Sequence, residues 1–187
     1  MKTILFIYGY GGSPASTTCG LLMKYLPSTE YKVLCYKYPQ EDCAAAVKFL
    51  EDILINEHID LVIGTSLGGF IALCLNTDIP RIALNPCMIP TAELPKLKPY
   101  PGHIGFGPPS DEVLETYRKF EDGVNSGQYC KRSRVIGLFA ENDELLGTQY
   151  FEPFDKNCGE ARHIPGGHHG NKDAIPVIMQ TIAELIS

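Results

Sequence analysis

Short apolar runs alternate with stretches of helical spacing along most of the chain. Ile4 to Tyr8 has the length and content of a buried strand. Leu21, Leu22, Tyr25 and Leu26 then share one helical face, with Ser13 placed to cap, Pro14 to open and Pro27 to stop that helix. Tyr31 to Tyr36 predicts a second strand, and Val47, Leu50, Ile53 and Leu54 form one apolar stripe on a helix that opens at Asp42. Leu61, Val62 and Ile63 suit a strand covered on both faces, after which Leu67, Phe70, Ile71 and Leu73 return to helical spacing. Arg81 to Leu84, Arg134 to Ala140 and Ala161 to Ile164 are further strands, and Ile175, Ile178, Met179, Ile182 and Leu185 mark the inward face of a last helix. Such alternation implies an α/β fold: a mostly parallel sheet flanked by helices.

Between Pro86 and Pro109 the rhythm breaks, and seven of the chain's 14 prolines fall there. A helix resumes over Asp111 to Phe120, with Val113, Leu114, Tyr117 and Phe120 on one side. The region from about 87 to 130 reads as a proline-rich, lid-like insertion over the strand ends, although a plain connecting segment accounts for it nearly as well. His103 in this region is expected to be solvated.

At 187 residues the chain is expected to form a single domain, 1–187, with a core that needs neither disulfide nor metal. A net charge of -6 without any Lys/Arg block argues against nucleic acid and against an anionic membrane, and leaves small neutral ligands open. Seven cysteines, an odd number with no C-x-x-C spacing, read as reduced thiols. The first residues start a strand at once instead of forming a signal segment, so a cytoplasmic protein is expected. His163, His168, His169 and Asp173 lack the helical spacing of a zinc motif, so no metal is expected.

The sharpest chemical signal is Gly64-Thr65-Ser66-Leu67-Gly68, a G-x-S-x-G turn between an apolar strand and a helix. Glycines there let the strand end and the helix start approach closely, exposing the Ser66 hydroxyl and leaving the Leu67 amide at a helix N-terminus to bind an oxyanion. The bland alternative is an ordinary turn in which Ser66 only caps a helix. Tyr8-Gly9-Tyr10-Gly11-Gly12-Ser13-Pro14 follows the first strand; Pro14 stands where a dinucleotide fingerprint needs glycine. The loop reads instead as the second wall of an oxyanion hole, with the amide of Tyr10 opposite that of Leu67 and with Gly9 and Gly11 lining the substrate. Glu141, Asp143 and Glu144 lie past a core strand, where the residues alone favour Asp143 only modestly. His168 and His169 follow the last strand in a glycine-rich loop, and either can turn toward Ser66. Serine, then an acid, then histidine is the chain order of an α/β-hydrolase, in which imidazole takes the serine proton and a carboxylate holds the imidazole.

Together, Tyr8 to Pro14, Gly64 to Gly69, Asn85-Pro86, Asn142-Asp143-Glu144 and Gly166-Gly167-His168-His169 resemble the small YqiA-type esterases of the α/β-hydrolase superfamily. The resemblance covers nearly the whole chain and is weak from Met88 to Lys131. It implies an α/β-hydrolase fold and a serine hydrolase of carboxylic esters or acyl thioesters, with no cofactor. The family spacing of the last loop, G-G-x-H, selects His169 as the base and leaves His168 to line the pocket mouth; its acid loop selects Asp143. Two positions depart from the pattern: Tyr8 stands where the family has histidine, and Asn142 where it has glycine. The Tyr8 departure keeps a second expectation open, a catalytically silent hydrolase fold that serves as a binding protein.

Overall fold

The computed structural model describes residues 1–97, 107–168 and 172–186. Strands β1 (Lys2–Ile7), β2 (Tyr31–Leu34), β3 (Leu61–Thr65), β4 (Arg81–Leu84), β5 (Val135–Ala140) and β6 (Glu160–Ile164) form one sheet in the order β2-β1-β3-β4-β5-β6. Every neighbouring pair runs parallel. Burial explains the sequence pattern: all of β4 and β5 is buried, whereas the outermost strands β2 and β6 are only half covered and carry mixed residues.

Helices α1 (Thr17–Tyr25), α2 (Cys43–Asn56), α3 (Leu67–Cys74), α4 (Pro90–Glu93), α5 (Asp111–Asn125), α6 (Phe151–Asn157) and α7 (Ile175–Ile186) complete the order. The chain steps outward from β1 to β2 and then back past β1 to β3. Right-handed crossovers therefore put α1 on one face and α2 and α3 on the other. In agreement, α1 contacts α7, while α2, α3 and α5 contact one another.

Two expectations change. The cap of α1 is Ser16, not Ser13: Ser13 accepts from the Ser16 amide at 2.9 Å, and this extra turn absorbs Pro14 before the helix starts. Helix α5 is not a cover over the strand ends, because it packs in the layer with α2 and α3, its Tyr117 ring 6.1 Å from that of Phe70. The rest of the proline-rich stretch, 98–106 with His103, lies outside the described residues. Short helix α6 had no clear periodic signal, since Pro153 interrupts it; the Phe139 ring holds it by edge contacts with Phe151 and Phe154.

Helix α3 is anchored at its far end by Arg81, which is wholly buried. Its guanidinium donates to the carbonyls of Ala72, Leu73 and Leu75 at 3.0 to 3.1 Å, and to Tyr129 at 2.8 Å. A cation on the carbonyl end of α3 complements the helix dipole. All seven cysteines are free thiols. Among the described residues, no helix is long and apolar enough to cross a membrane.

Candidate active site

The sheet order reverses at β1 and β3, so the chain segments leaving these two strands diverge side by side, with Ile7 in register with Gly64. Crevices at such points are where open α/β sheets bind ligands. Here the two segments are the Tyr8–Pro14 loop and the turn at Ser66.

Ser66 adopts φ 54 and ψ -121, a left-handed backbone that costs a side-chain-bearing residue about 1–3 kcal/mol. Its neighbours enforce it. A Cβ on Gly64 would lie 2.1 Å from the Gly68 carbonyl oxygen, and one on Gly68 would lie 2.2 Å from that of Ile7. Only two glycines let α3 start this close to β1 and β3. The turn is also tied to β4: the Ser66 amide donates to Leu84 at 2.9 Å, and its carbonyl accepts from Cys87 at 3.0 Å. Leu67 is the first residue of α3, where amides have no acceptor inside the helix.

The loop after β1 is a tight turn in which the Gly12 amide donates to Gly9 at 3.0 Å and Gly11 takes φ 73. It lies against the serine, since a Cβ on Gly9 would sit 3.5 Å from Ser66 Oγ. Tyr10 occupies the corner of the turn. The loop is held from below by residues that the sequence reading had not singled out. Gln40 grips both of its sides, donating Nε2 to the Gly9 carbonyl at 3.0 Å and accepting the Gly11 amide at 2.9 Å. Tyr38 donates its hydroxyl to the Tyr8 carbonyl at 2.6 Å, and Tyr117 of α5 donates to the Gln40 carbonyl at 2.6 Å. Tyr8 itself is buried against the Tyr38 ring at 4.9 Å. The departure from histidine at position 8 therefore leaves the loop anchored through backbone carbonyls.

On the other side of the strand ends, the loops after β5 and β6 zip together: the amide of Glu141 donates to Ile164 and that of Asn142 to Gly166, both at 3.0 Å. Asp143 turns its carboxylate inward. Its Oδ1 accepts the amides of Leu145 at 2.9 Å and Leu146 at 2.7 Å, and its Oδ2 lies 2.8 Å from Nδ1 of His168. Both side chains are nearly inaccessible, at 3% for His168 and 4% for Asp143. Burial pushes the Asp143 carboxyl up, but the bond to His168, its charge and the two amides outweigh it and hold the carboxyl below its ordinary range.

This geometry changes the histidine expectation. The imidazole on the acid is that of His168, whereas His169 lies outside the described residues. His168 is also fixed through its backbone: its amide donates to Glu144 Oε2 at 2.9 Å and its carbonyl accepts from Asn85 Nδ2 at 3.0 Å. The three acids thereby separate. Asp143 meets the ring, Glu144 meets the backbone, and Glu141 is exposed. The sequence offers Glu144 only as a rival for the acid and Asn85 only as part of an Asn-Pro pair closing a buried strand; neither contact to the His168 backbone is legible there. Cys74, in the helix that follows the turn, is buried, and burial and the neighbouring Cys43 push its thiol well above its ordinary value, which disfavours a thiolate there.

The same overall structure recurs in other solved proteins. A putative hydrolase from Agrobacterium vitis S4 matches with a TM-score of 0.77 at 15% identity, over 100% of this chain and 88% of that one. Est1E from Butyrivibrio proteoclasticus, in a complex with ferulic acid, matches with a TM-score of 0.73 at 15% identity, over 100% and 90%. Mouse alpha/beta hydrolase domain-containing protein 10 matches with a TM-score of 0.73 at 16% identity, over 98% and 89%. These likenesses establish the α/β-hydrolase fold. At the level of sequence, the model of an uncharacterised protein family, UPF0227, matches residues 3–183, and this chain belongs to that family, the one its motifs resemble.

Proposed function

We propose that this protein is a serine hydrolase that cleaves carboxylic esters or acyl thioesters through an acyl-enzyme on Ser66, with His168 as base and Asp143 as its orienting acid. The observation that carries this reading is the buried 2.8 Å contact of Asp143 with Nδ1 of His168, beside strand ends that also carry the left-handed Ser66. A carboxylate on Nδ1 keeps the proton there, so Nε2 is the basic nitrogen. Ser66 Oγ attacks the substrate carbonyl carbon while Nε2 takes its proton, and the amides of Leu67 and Tyr10 receive the oxyanion. Collapse expels the alcohol or thiol, which leaves with the proton from His168. Water, deprotonated by the same nitrogen, then releases the acid and restores Ser66. Nothing in this cycle calls for a cofactor.

The base in this reading is His168, in place of the His169 that family spacing had selected. The silent-binder alternative drew its support from Tyr8, and the anchors supplied by Tyr38 and Gln40 remove that support.

A net charge of -6 gives no general attraction for polyanionic leaving groups, and Lys96 is engaged by Glu93 at 2.9 Å. Esters of small or medium neutral acyl groups are therefore the proposed substrates, and the ferulic acid complex of Est1E supports including hydroxycinnamoyl esters in the first panel. The free thiols fit a reducing compartment, and we place the enzyme in the cytoplasm on that ground. Fluorophosphonate labelling followed by peptide mass spectrometry tests the proposal. The label is expected on Ser66 and is lost, together with ester hydrolysis, in Ser66→Ala. Labelling elsewhere, or turnover that survives in the folded Ser66→Ala protein, overturns it. A preference for long-chain acyl-CoA over short neutral esters overturns the substrate assignment alone.

A further inference from the structure

We propose that Asn85 is a positioning residue for the histidine: its side-chain amide references the His168 loop to the end of β4, the strand end that also holds Ser66. The inference rests on the reading of His168 as the base.

The β4–β5 ladder shows what Asn85 replaces. Leu84 is in register with Leu138, and the Asn85 amide makes the next rung to the Leu138 carbonyl at 2.8 Å. In a parallel ladder the following rung would run from the Ala140 amide to the backbone carbonyl of Asn85. The backbone has already turned away there, because Asn85 takes φ 41. The Ala140 amide donates instead to Asn85 Oδ1 at 2.7 Å, so the side chain supplies the rung that the backbone has left. With its oxygen used in this way, the amide nitrogen faces the next loop and donates to the His168 carbonyl at 3.0 Å.

Asparagine meets three requirements at this position. It tolerates a left-handed backbone better than other residues with side chains, apart from aspartate, which shares this tolerance. It carries an acceptor for Ala140 and a donor for His168 on one planar group. Aspartate would keep the acceptor and lose the donor; glycine would keep the backbone and lose both. The residue is 5% exposed, so either half of the amide left without a partner would be buried without the water that could replace it.

The relation to Ser66 gives this bridge its catalytic meaning. Asp143 and Glu144 both hold His168 from one loop, so a shift of that loop would carry the histidine along with them. Asn85 is bonded to a different reference. The preceding residue, Leu84, accepts the Ser66 amide at 2.9 Å, so β4 fixes the nucleophile through one residue and the base through the next. Packing between them is not complete, because a small, partly open cavity of about 20 Å³ has Thr65, Leu84, Asn85, Gly167 and His168 in its lining. A displacement of the order of 1 Å between base and nucleophile is enough to lower the rate about 10²-fold.

The test uses Asn85→Asp and Asn85→Gly, each checked for fold by circular dichroism and thermal melting. Two readouts are taken: kcat and KM on an activated ester, and the downfield proton resonance of the His168 Nδ1–H held by Asp143. Both variants are expected to lose about 10–100-fold in kcat with KM within about threefold, and to lose or broaden the downfield resonance. Glycine adds no charge, so a loss common to both is not an effect of the new carboxylate. If Asn85→Asp behaves as wild type and only Asn85→Gly is impaired, Asn85 is a rung of the sheet and the inference is overturned; unchanged kcat and resonance in both overturn it equally. Wild-type protein that neither labels nor turns over would sink the hydrolase reading instead. The resonance would still decide the hold of Asn85 on the ring, and its persistence in both variants would overturn that hold.

Discussion

The turn at Ser66 and the loop that carries His168 both follow the carboxyl ends of parallel strands, β3 and β6, but are built by opposite means. The turn is fixed by repulsion: added Cβ atoms on Gly64 and Gly68 would lie 2.1 and 2.2 Å from carbonyl oxygens, so the approach of β3, α3 and β1 permits no other residue. The histidine loop is fixed by attraction, through hydrogen bonds from Asp143, Glu144 and Asn85 that cross 25, 24 and 83 residues of sequence. Steric exclusion is indifferent to pH and fails abruptly when an atom is added. Polar attachment weakens in steps as each partner is removed or protonated. The Ser66 turn is therefore expected to be rigid, while the His168 loop is adjustable and vulnerable to charge.

The steric half breaks with the largest effect. Gly68→Ala places a methyl against the Ile7 carbonyl, where backbone lies on both sides and cannot yield. Overpacking of this kind costs about 3 kcal/mol, which is roughly a 10 °C fall in Tm for a chain of this size. Ester hydrolysis should fall below detection, because the serine is displaced. A Gly68→Ala protein with wild-type melting and turnover would show that the turn is not held by exclusion.

The polar half should fail while the fold stays intact. Asp143→Asn should lower kcat on the order of 10⁴-fold, since an amide donor against Nδ1 favours the wrong imidazole tautomer. It should also change acid stability in a fixed direction. The Asp143 carboxyl is held below its ordinary value of 3.8, so its contribution is complete above that value and is lost as the pH falls through the lower folded value. Chemical denaturation between about pH 5 and 2 should therefore be less steeply pH-dependent in Asp143→Asn than in wild type. Equal slopes would mean that the carboxylate is not stabilised by His168 and the amides.

The smallest effect is expected in the oxyanion loop, where attachments are duplicated. Tyr38→Phe removes the donor to the Tyr8 carbonyl and leaves the Gln40 grip in place. About 1 kcal/mol of stability and less than tenfold in kcat should be lost. A loss of 10³-fold or more, read on the same ester, would show that Tyr38 alone sets the loop.

The same contrast explains what could be read from the chain itself. The α/β alternation, all six strands to within two residues, and the turn at Ser66 follow from local requirements: short buried apolar runs, and glycine where nothing else fits. The sequence at Gly64, Ser66 and Gly68 is itself the geometric constraint. Gln40, Glu144 and Asn85 are different, because an amide or carboxylate in a loop looks the same whether it is solvated or holds a backbone group far along the chain. Asn142 and Asn85 are the same residue type in sequence; one is exposed and the other is 5% accessible and bridges two loops. Adjacent histidines are the sharpest instance, since one residue of register decides which imidazole reaches Asp143, and that register is set by the Glu144 and Asn85 contacts to the loop backbone. Helix α5 was legible as a helix but not by its place, because its apolar face says only that it packs and not that Tyr117 reaches Gln40.

The central claim is that the imidazole on Asp143 is the base for Ser66, and it is tested most directly by kcat/KM of His168→Ala and His169→Ala measured side by side on one activated ester. The account predicts that His168→Ala loses on the order of 10⁴-fold or more, because it removes the imidazole that Asp143 orients, and that His169→Ala loses about tenfold or less. A nearly inactive His169→Ala enzyme beside a mildly affected His168→Ala enzyme would contradict it.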